Sequence, residues 1–114
     1  MIFIIDDDID MASCIKRAVK KEARIFSNAI EAMSEISKGE LPDLIFLDIL
    51  LDGPDGFTFL NELVSYSDTV KIPVVIVSSL EFNEKDLAKY GVVGVLNKDT
   101  MLPSEIEEYA KRYT

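Results

Sequence analysis

The sequence of 114 residues contains no histidine and only one cysteine. Without histidine, a nucleophilic triad with an imidazole base is excluded, and a zinc site would lack its usual nitrogen ligands. With a single cysteine, an internal disulfide is excluded as well. Cys14 falls within an amphipathic helical pattern beside Met11 and Ile15. Because free cysteines are usually buried, we expect its thiol to be half-buried.

Positive charge is also scarce, since 12 Lys and Arg stand against 21 Asp and Glu and the net charge is −9. Nucleic acids and anionic membranes require a basic surface, so we expect the domain to bind neither directly. No basic region precedes the first apolar residues, and no apolar run approaches the length of a membrane span. We therefore expect a cytoplasmic location.

Proline and glycine are few, with four and five residues, while 48% of the chain is hydrophobic. This composition is typical of a globular chain, and its length suits one hydrophobic core. We expect a single domain over residues 1–114.

Short apolar runs rich in valine and isoleucine recur along the chain without alternating polar residues. This pattern is typical of parallel strands that are covered on both faces. The runs are Ile2–Ile5, Leu44–Leu47, Val74–Val77 and Val92–Leu96, with a weaker one at Ala23–Phe26 that we expect at an edge. Amphipathic helical patterns separate them. The alternation of five strands with five helices predicts an α/β fold with a doubly wound parallel sheet.

Acidic residues directly follow two of these predicted strands. Asp6, Asp7 and Asp8 follow the first strand, and Asp48 follows the third. In open α/β sheets, ligands bind outside the carboxyl ends of the strands, where the strand order switches. Carboxylates crowded there cannot all stay ionised without a cation, and a hard divalent cation prefers oxygen ligands. The pattern predicts a metal-dependent site that handles phosphate.

Polar residues also end the fourth and fifth strands. Ser78 could donate a hydrogen bond to a phosphoryl oxygen, and Lys98 could pair with phosphate. Each feature also has a simpler explanation, because Ser78 could start a turn, Lys98 could be a solvated surface lysine, and acids such as Asp8 and Asp10 favour a helix N-terminus. The joint placement of these residues at strand ends favours the functional interpretation.

The chain resembles response-regulator receiver domains over essentially its whole length. The matching segments are Ile5-Asp6-Asp7-Asp8, Leu47-Asp48 with Asp55-Gly56 downstream, Val77-Ser78-Ser79 and Asn97-Lys98. The resemblance implies a flavodoxin-like (βα)5 sandwich with a five-stranded parallel sheet in the order 2-1-3-4-5.

The resemblance also implies a metal site. Asp7 and Asp48 would bind Mg²⁺, or Mn²⁺, directly, and Asp6 would bind it through water. The backbone carbonyl of Leu50 would be a further ligand.

The same resemblance implies a phosphoacceptor. Asp48 would take a phosphoryl group from a phosphohistidine of a sensor histidine kinase or a histidine phosphotransfer protein. Ser78 would bond a phosphoryl oxygen, and Lys98 would pair with the phosphoryl group, or with Asp48 before phosphorylation. Phosphorylation would switch binding to a downstream protein or to an output domain. Self-phosphorylation and self-dephosphorylation at Asp48 would be the only catalysis.

Two alternatives remain open at this point. One is a receiver-like module that binds partners without phosphorylation. The other is a small phosphatase with an aspartyl nucleophile, although Asp48-Ile49-Leu50 lacks the second aspartate that haloacid-type phosphatases carry two residues on.

The chain departs from the receiver pattern at two positions near the site. Asp99 stands where the family usually has a proline after the lysine, so we expect a trans Lys98–Asp99 peptide bond. Val95 stands where the family often has an aromatic residue. Valine has no large ring to swing, so we expect coupling through that position to be weak.

Overall fold

Strands and helices alternate along the chain in the computed structural model, which describes residues 1–49 and 56–114. The strands are β1 (Ile2–Ile5), β2 (Ala23–Phe26), β3 (Leu44–Leu47), β4 (Val74–Ser78) and β5 (Val92–Asn97). The helices are α1 (Ile9–Val19), α2 (Ala29–Ser37), α3 (Gly56–Val64), α4 (Glu84–Leu87) and α5 (Pro103–Tyr113), with a 3-10 turn at Ala88–Tyr90. The predicted strands are confirmed, and β4 and β5 each extend one residue further than expected.

The five strands form one parallel sheet in the order β2-β1-β3-β4-β5. This order confirms the predicted flavodoxin-like topology. Ile5 of β1 is paired with Leu47 of β3, Leu47 with Ile76 of β4, and Ser78 of β4 with Asn97 of β5. The carboxyl ends of these four strands therefore meet at one edge of the sheet, and the strand order switches between β1 and β3.

Apolar side chains cover both faces of the sheet. All residues of β1, β3 and β4 are buried, whereas β2 and β5, the outer strands, each have exposed residues. One core, under α2 and α3, includes Phe3, Ile5, Ile45, Leu47, Phe59 and Leu60. The other, under α1 and α5, includes Ile2, Ile4, Ile15, Phe46, Val75 and Ile106. The central strands are buried on both sides because consecutive side chains point to opposite faces.

Side-chain caps fix where the first two helices begin. Asp8 accepts hydrogen bonds from the backbone N–H groups of Asp10 and Met11, at 3.0 and 3.3 Å. Asn28 accepts one from the backbone N–H of Glu31 at 2.9 Å. Each bond satisfies a donor that the first turn of a helix leaves without a partner. Asp8 therefore belongs to the start of α1, in line with the simpler explanation for this acid.

The expectation for Cys14 was wrong, because its side chain is exposed. The buried positions of α1 are Ala12, Ile15, Ala18 and Val19. A residue two positions after Ala12 is rotated by about 200° around an α-helix, so Cys14 points away from the face that packs on the sheet.

The helices of the described residues are short. The longest, α1 and α5, have 11 residues each. None of the helices within residues 1–49 and 56–114 is both long enough and apolar enough to cross a bilayer.

Candidate functional site

Asp6 and Asp48 lie one residue beyond two adjacent strands. The backbone N–H of Asp6 donates to the carbonyl of Phe26 at 3.0 Å, and that of Asp48 donates to the carbonyl of Ile5 at 2.9 Å. Each aspartate thus continues the hydrogen bonding of the sheet by one step. Both backbones are held by the sheet, so the two carboxylates project from a fixed base at the point where the strand order switches.

Three carboxylates converge at this point. Asp6, Asp7 and Asp48 each offer an oxygen atom, and these oxygens lie within 4.8 Å of one another. Asp6 and Asp48 are buried, with exposed fractions of 2% and 6%, whereas Asp7 is exposed. The three residues that we expected to bind metal through their side chains are therefore neighbours in space.

Lys98 supplies the positive charge that faces this cluster. Its Nζ lies 3.1 Å from Oδ2 of Asp48, to which it donates a hydrogen bond, and 3.1 Å from Oδ2 of Asp6. The side chain of Lys98 is 15% exposed, so its ammonium lies among groups that are largely withdrawn from water. The contact with Asp48 is the one that the resemblance implied, and the contact with Asp6 is additional.

Burial and neighbouring charges change the pKa of two of these groups. Burial raises the pKa of Asp6, and the charge of Asp48 adds to this rise, while the N–H of Asp8 and the ammonium of Lys98 oppose it. Burial alone would lower the pKa of Lys98, but the hydrogen bond to Asp48 and the carboxylate of Asp6 outweigh it and raise the pKa. The ammonium is therefore the stable form of Lys98. For Asp6, the interactions that favour the ionised carboxylate do not offset the cost of burying it.

One oxygen of Asp6 lacks a hydrogen bond. Oδ1 accepts from the backbone N–H of Asp8 at 2.9 Å. Oδ2 is fully buried and accepts no hydrogen bond from the described residues, although Nζ of Lys98 is close enough for an ion pair. Buried oxygens that accept no hydrogen bond are rare in folded proteins and often mark the place of a water or an ion. Together with the all-oxygen donor set, this atom fits a hard divalent cation such as Mg²⁺ or Mn²⁺.

Ser78 lies at the end of the next strand, and its side chain is buried. Its Oγ accepts a hydrogen bond from the backbone N–H of Leu80 at 3.1 Å. Its backbone carbonyl accepts one from the N–H of Lys98 at 3.0 Å. The first bond uses a lone pair of the hydroxyl and not its proton, so Ser78 can still act as a donor.

The departures from the receiver pattern have clear structural outcomes. The described residues contain no cis peptide bond, which confirms the trans bond expected between Lys98 and Asp99. Val95 is half-buried, and its backbone N–H donates to Oε1 of Glu84 at 3.1 Å. Leu50, whose carbonyl was expected to bind metal, lies outside the described residues.

Sequence reasoning did not find the role of Asn97. Its Oδ1 accepts a hydrogen bond from the backbone N–H of Asp99 at 2.8 Å, forming a local turn around Lys98. The signal was present, because asparagine often bonds the backbone two residues further on. It was weak because the same residue type also occurs in strands and loops without this bond.

The sequence matches a family model described as the response regulator receiver domain over residues 2–111. A protein-glutamate methylesterase/protein-glutamine glutaminase 3 from Leptospira interrogans is 30% identical over 105 residues, which are 85% of this chain and 29% of that protein. The first curated relatives are much longer than this chain, which covers 18% to 29% of their length.

Solved structures give the same result. The receiver domain of NtrX from Brucella abortus is 25% identical, with a TM-score of 0.82, and the alignment covers 99% of this chain and 97% of that one. A phosphorylated cyanobacterial phytochrome response regulator, RcpA, is 27% identical, with a TM-score of 0.74 and coverage of 97% and 88%.

Proposed function

The chain belongs to the response regulator receiver domain family, and from this premise we propose that Asp48 accepts a phosphoryl group from a phosphohistidine of a partner protein. The observation that carries the proposal is the contact of Lys98 with two buried carboxylates, Asp6 and Asp48, beside a third from Asp7. Phosphoryl transfer depends on positioning and on charge neutralisation, and three carboxylates beside one ammonium can contribute to both.

Asp48 would act as the nucleophile. A carboxylate oxygen would attack phosphorus, and the P–N bond would break with its electron pair remaining on the imidazole nitrogen of the donor. The backbone of Asp48 is held by the carbonyl of Ile5, so the attacking group needs little reorganisation. The product would be an acyl phosphate on Asp48.

Asp6, Asp7 and Asp48 would hold Mg²⁺, or Mn²⁺ in its place. The buried Oδ2 of Asp6, which accepts no hydrogen bond and has only the ion pair with Lys98 among the described residues, supports this assignment, as does the mutual proximity of the three carboxylates. When bound, the ion would neutralise charge on the oxygens of the phosphoryl group. The backbone carbonyl of Leu50 remains a proposed further ligand.

Lys98 and Ser78 would recognise the phosphorylated state. Lys98 already donates to Oδ2 of Asp48 and could transfer this contact to a phosphoryl oxygen. Ser78 has a hydroxyl proton that its bond with Leu80 does not use. A shift of Ser78 toward the phosphoryl group would move the chain between β4 and α4. Phosphorylation of Asp48 would in this way change the surface of the domain.

The partners would be a sensor histidine kinase or a histidine phosphotransfer protein as donor, and a downstream protein or an output domain as target. Phosphorylated RcpA, which is similar over most of this chain, supports a phosphoacceptor role.

Intact-mass measurement tests the proposal directly. The protein would be incubated with acetyl phosphate, with and without Mg²⁺, beside Asp48→Asn and the control Asp68→Asn, which alters an exposed acid away from the site. We expect a single phosphoryl adduct on the wild type and on the control, only with Mg²⁺, and none on Asp48→Asn. An adduct on Asp48→Asn would refute the assignment. No adduct at all, with Mg²⁺ binding shown separately, would favour a module that binds partners without phosphorylation.

A further inference from the structure

We propose that Asn97 is a positioning residue for Lys98, because its side chain fixes the turn that directs the ammonium to Asp6 and Asp48. This inference rests on the function proposed above. Among the hydrogen bonds of the described residues, the side chain of Asn97 contacts neither carboxylate, so it would act only through the lysine.

Hydrogen bonds hold the backbone on both sides of Lys98. Its own N–H donates to the carbonyl of Ser78 at 3.0 Å. The next N–H, that of Asp99, donates to Oδ1 of Asn97 at 2.8 Å. The peptide groups before and after the lysine are thus both anchored, the first by the sheet and the second by the Asn97 side chain.

A fixed backbone matters because lysine has a long and flexible side chain. Its ammonium sits at the end of a four-carbon stem with many rotamers. Which rotamers are allowed depends on φ and ψ. Anchoring both neighbouring peptides restricts Lys98 to conformations from which Nζ reaches the two Oδ2 atoms, each at 3.1 Å.

The residue at position 99 makes this arrangement possible. Proline, which the receiver pattern usually has there, carries no backbone N–H and could not donate to Asn97. Asp99 provides that N–H in a trans peptide. A hydrogen bond between Asn97 and Asp99 therefore fixes the backbone after Lys98, at the position where the usual receiver pattern has the ring of a proline.

Removal of the Asn97 side chain would leave most of the turn intact. The backbone carbonyl of Asn97 also accepts from the N–H groups of Thr100 and Met101, at 3.2 and 2.8 Å. These bonds do not depend on the side chain. We therefore expect Asn97→Ala to fold and to lose the anchor on the peptide between Lys98 and Asp99 specifically.

The variants are Asn97→Ala, Asn97→Asp, which keeps an acceptor, and the control Asn28→Ala. Asn28 is a matched control because its Oδ1 also accepts a backbone N–H, that of Glu31 at 2.9 Å, at the start of α2. One measurement is the initial rate of phosphorylation by acetyl phosphate with Mg²⁺. The other, made without Mg²⁺, is the ¹³Cε and ¹Hε chemical shifts of Lys98, assigned from their loss in Lys98→Arg.

We expect Asn97→Ala to slow phosphorylation by about five- to tenfold, the factor that one hydrogen bond is typically worth. The Lys98 signals should move toward those of a free lysine. Asn97→Asp should retain both properties, and Asn28→Ala should lose stability while leaving both unchanged. In a Lys98→Ala background, Asn97→Ala should cause no further loss of rate.

Two results would overturn the inference. One is an Asn97→Ala protein with unchanged Lys98 signals. The other is an equal loss of rate from Asn97→Ala with and without Lys98, which would mean that Asn97 acts by another route. If the wild type takes no phosphoryl group, the proposed function fails, while the Lys98 signals still decide whether Asn97 positions the lysine.

Discussion

Nζ of Lys98 lies 3.1 Å from Oδ2 of Asp6, a carboxylate whose side chain is only 1% exposed. The same ammonium donates to Oδ2 of Asp48 at 3.1 Å. One positive charge is thus shared between two buried carboxylates that would otherwise repel each other. The ammonium therefore offsets part of the repulsion between the two acids and part of the cost of burying them.

We expect Lys98→Ala to destabilise the metal-free protein by about 3 kcal/mol at neutral pH, because removing one partner leaves uncompensated buried charge. Lys98 now lowers the pKa of Asp6, so its loss raises that pKa further. The destabilisation should therefore shrink as the pH falls and the carboxyl group takes up a proton. Urea unfolding over a range of pH measures both effects.

Lys98→Met is the matched control for lost packing, because it keeps most of the stem and removes only the charge. It should reproduce most of the destabilisation. A Lys98→Met protein as stable as the wild type at neutral pH would contradict the charge argument. Added Mg²⁺ should restore part of the stability in both variants, since a cation can replace the lost ammonium.

Asp6→Asn should make the metal-free protein more stable at neutral pH. The pKa of Asp6 is raised above its usual value of 3.8 mainly by burial, so its ionised form opposes folding at neutral pH. Asparagine is neutral and can still accept from the N–H of Asp8. The same change should weaken stabilisation by Mg²⁺, which for the wild type is about 1.4 kcal/mol when the Mg²⁺ concentration is ten times the dissociation constant.

Thermal unfolding with and without Mg²⁺ tests this pair of effects. Asp10→Asn is the control, because Asp10 is an exposed acid in the first turn of α1, outside the carboxylate cluster. It should keep the response to Mg²⁺. An Asp6→Asn protein that is stabilised by Mg²⁺ as much as the wild type would show that Asp6 takes no part in binding the ion.

Most of the fold could be predicted because its signals are local. A run such as Leu44–Leu47 is short, apolar throughout and followed by a polar residue, which is typical of a parallel strand covered on both faces. The exposure of Cys14 could not be read in the same way. Its neighbours Met11 and Ile15 suggested a buried stripe, but the rotation of α1 against the sheet decides which side faces water.

The site was predictable at the level of strand ends and not at the level of contacts. Asp6, Asp48 and Lys98 follow strands directly, so the topology alone brings them to one edge. That Lys98 contacts Asp6 as well as Asp48 depends on side-chain reach, which spacing does not encode. The hydrogen bond from Asp99 to Asn97 depends on local backbone angles, which many asparagines in turns do not adopt.

Cys14 should react readily in the native protein. It is exposed, so a thiol reagent reaches it without unfolding. We expect one equivalent of Ellman's reagent to be consumed at nearly the same rate with and without denaturant, and none in Cys14→Ser. A large acceleration by denaturant would show that the thiol is buried, as the sequence pattern first suggested.

Glu107 connects α5 to the end of α1, and its contribution should depend on pH. One of its carboxylate oxygens, Oε2, lies 2.8 Å from Nζ of Lys20, and the other, Oε1, lies 3.0 Å from Nζ of Lys111. Hydrogen bonds from Lys20 and Lys111 lower the pKa of Glu107 from 4.5. The stabilisation is therefore fully present above pH 4.5 and is lost as the pH falls through the lowered pKa of the folded state.

Glu107→Gln should accordingly lower the urea midpoint at about pH 7 and have a smaller effect at about pH 3, where part of the stabilisation by the carboxylate has been lost. Glu108→Gln is the matched control, because Glu108 is on the same helix, is more exposed and contacts only Arg112 among the ion pairs of the described residues, at 3.3 Å. Its effect should be smaller at both pH values, as expected for a single exposed pair. If Glu107→Gln lowered the midpoint equally at both pH values, its effect would come from packing of the side chain, and the two lysine contacts would contribute nothing measurable to stability.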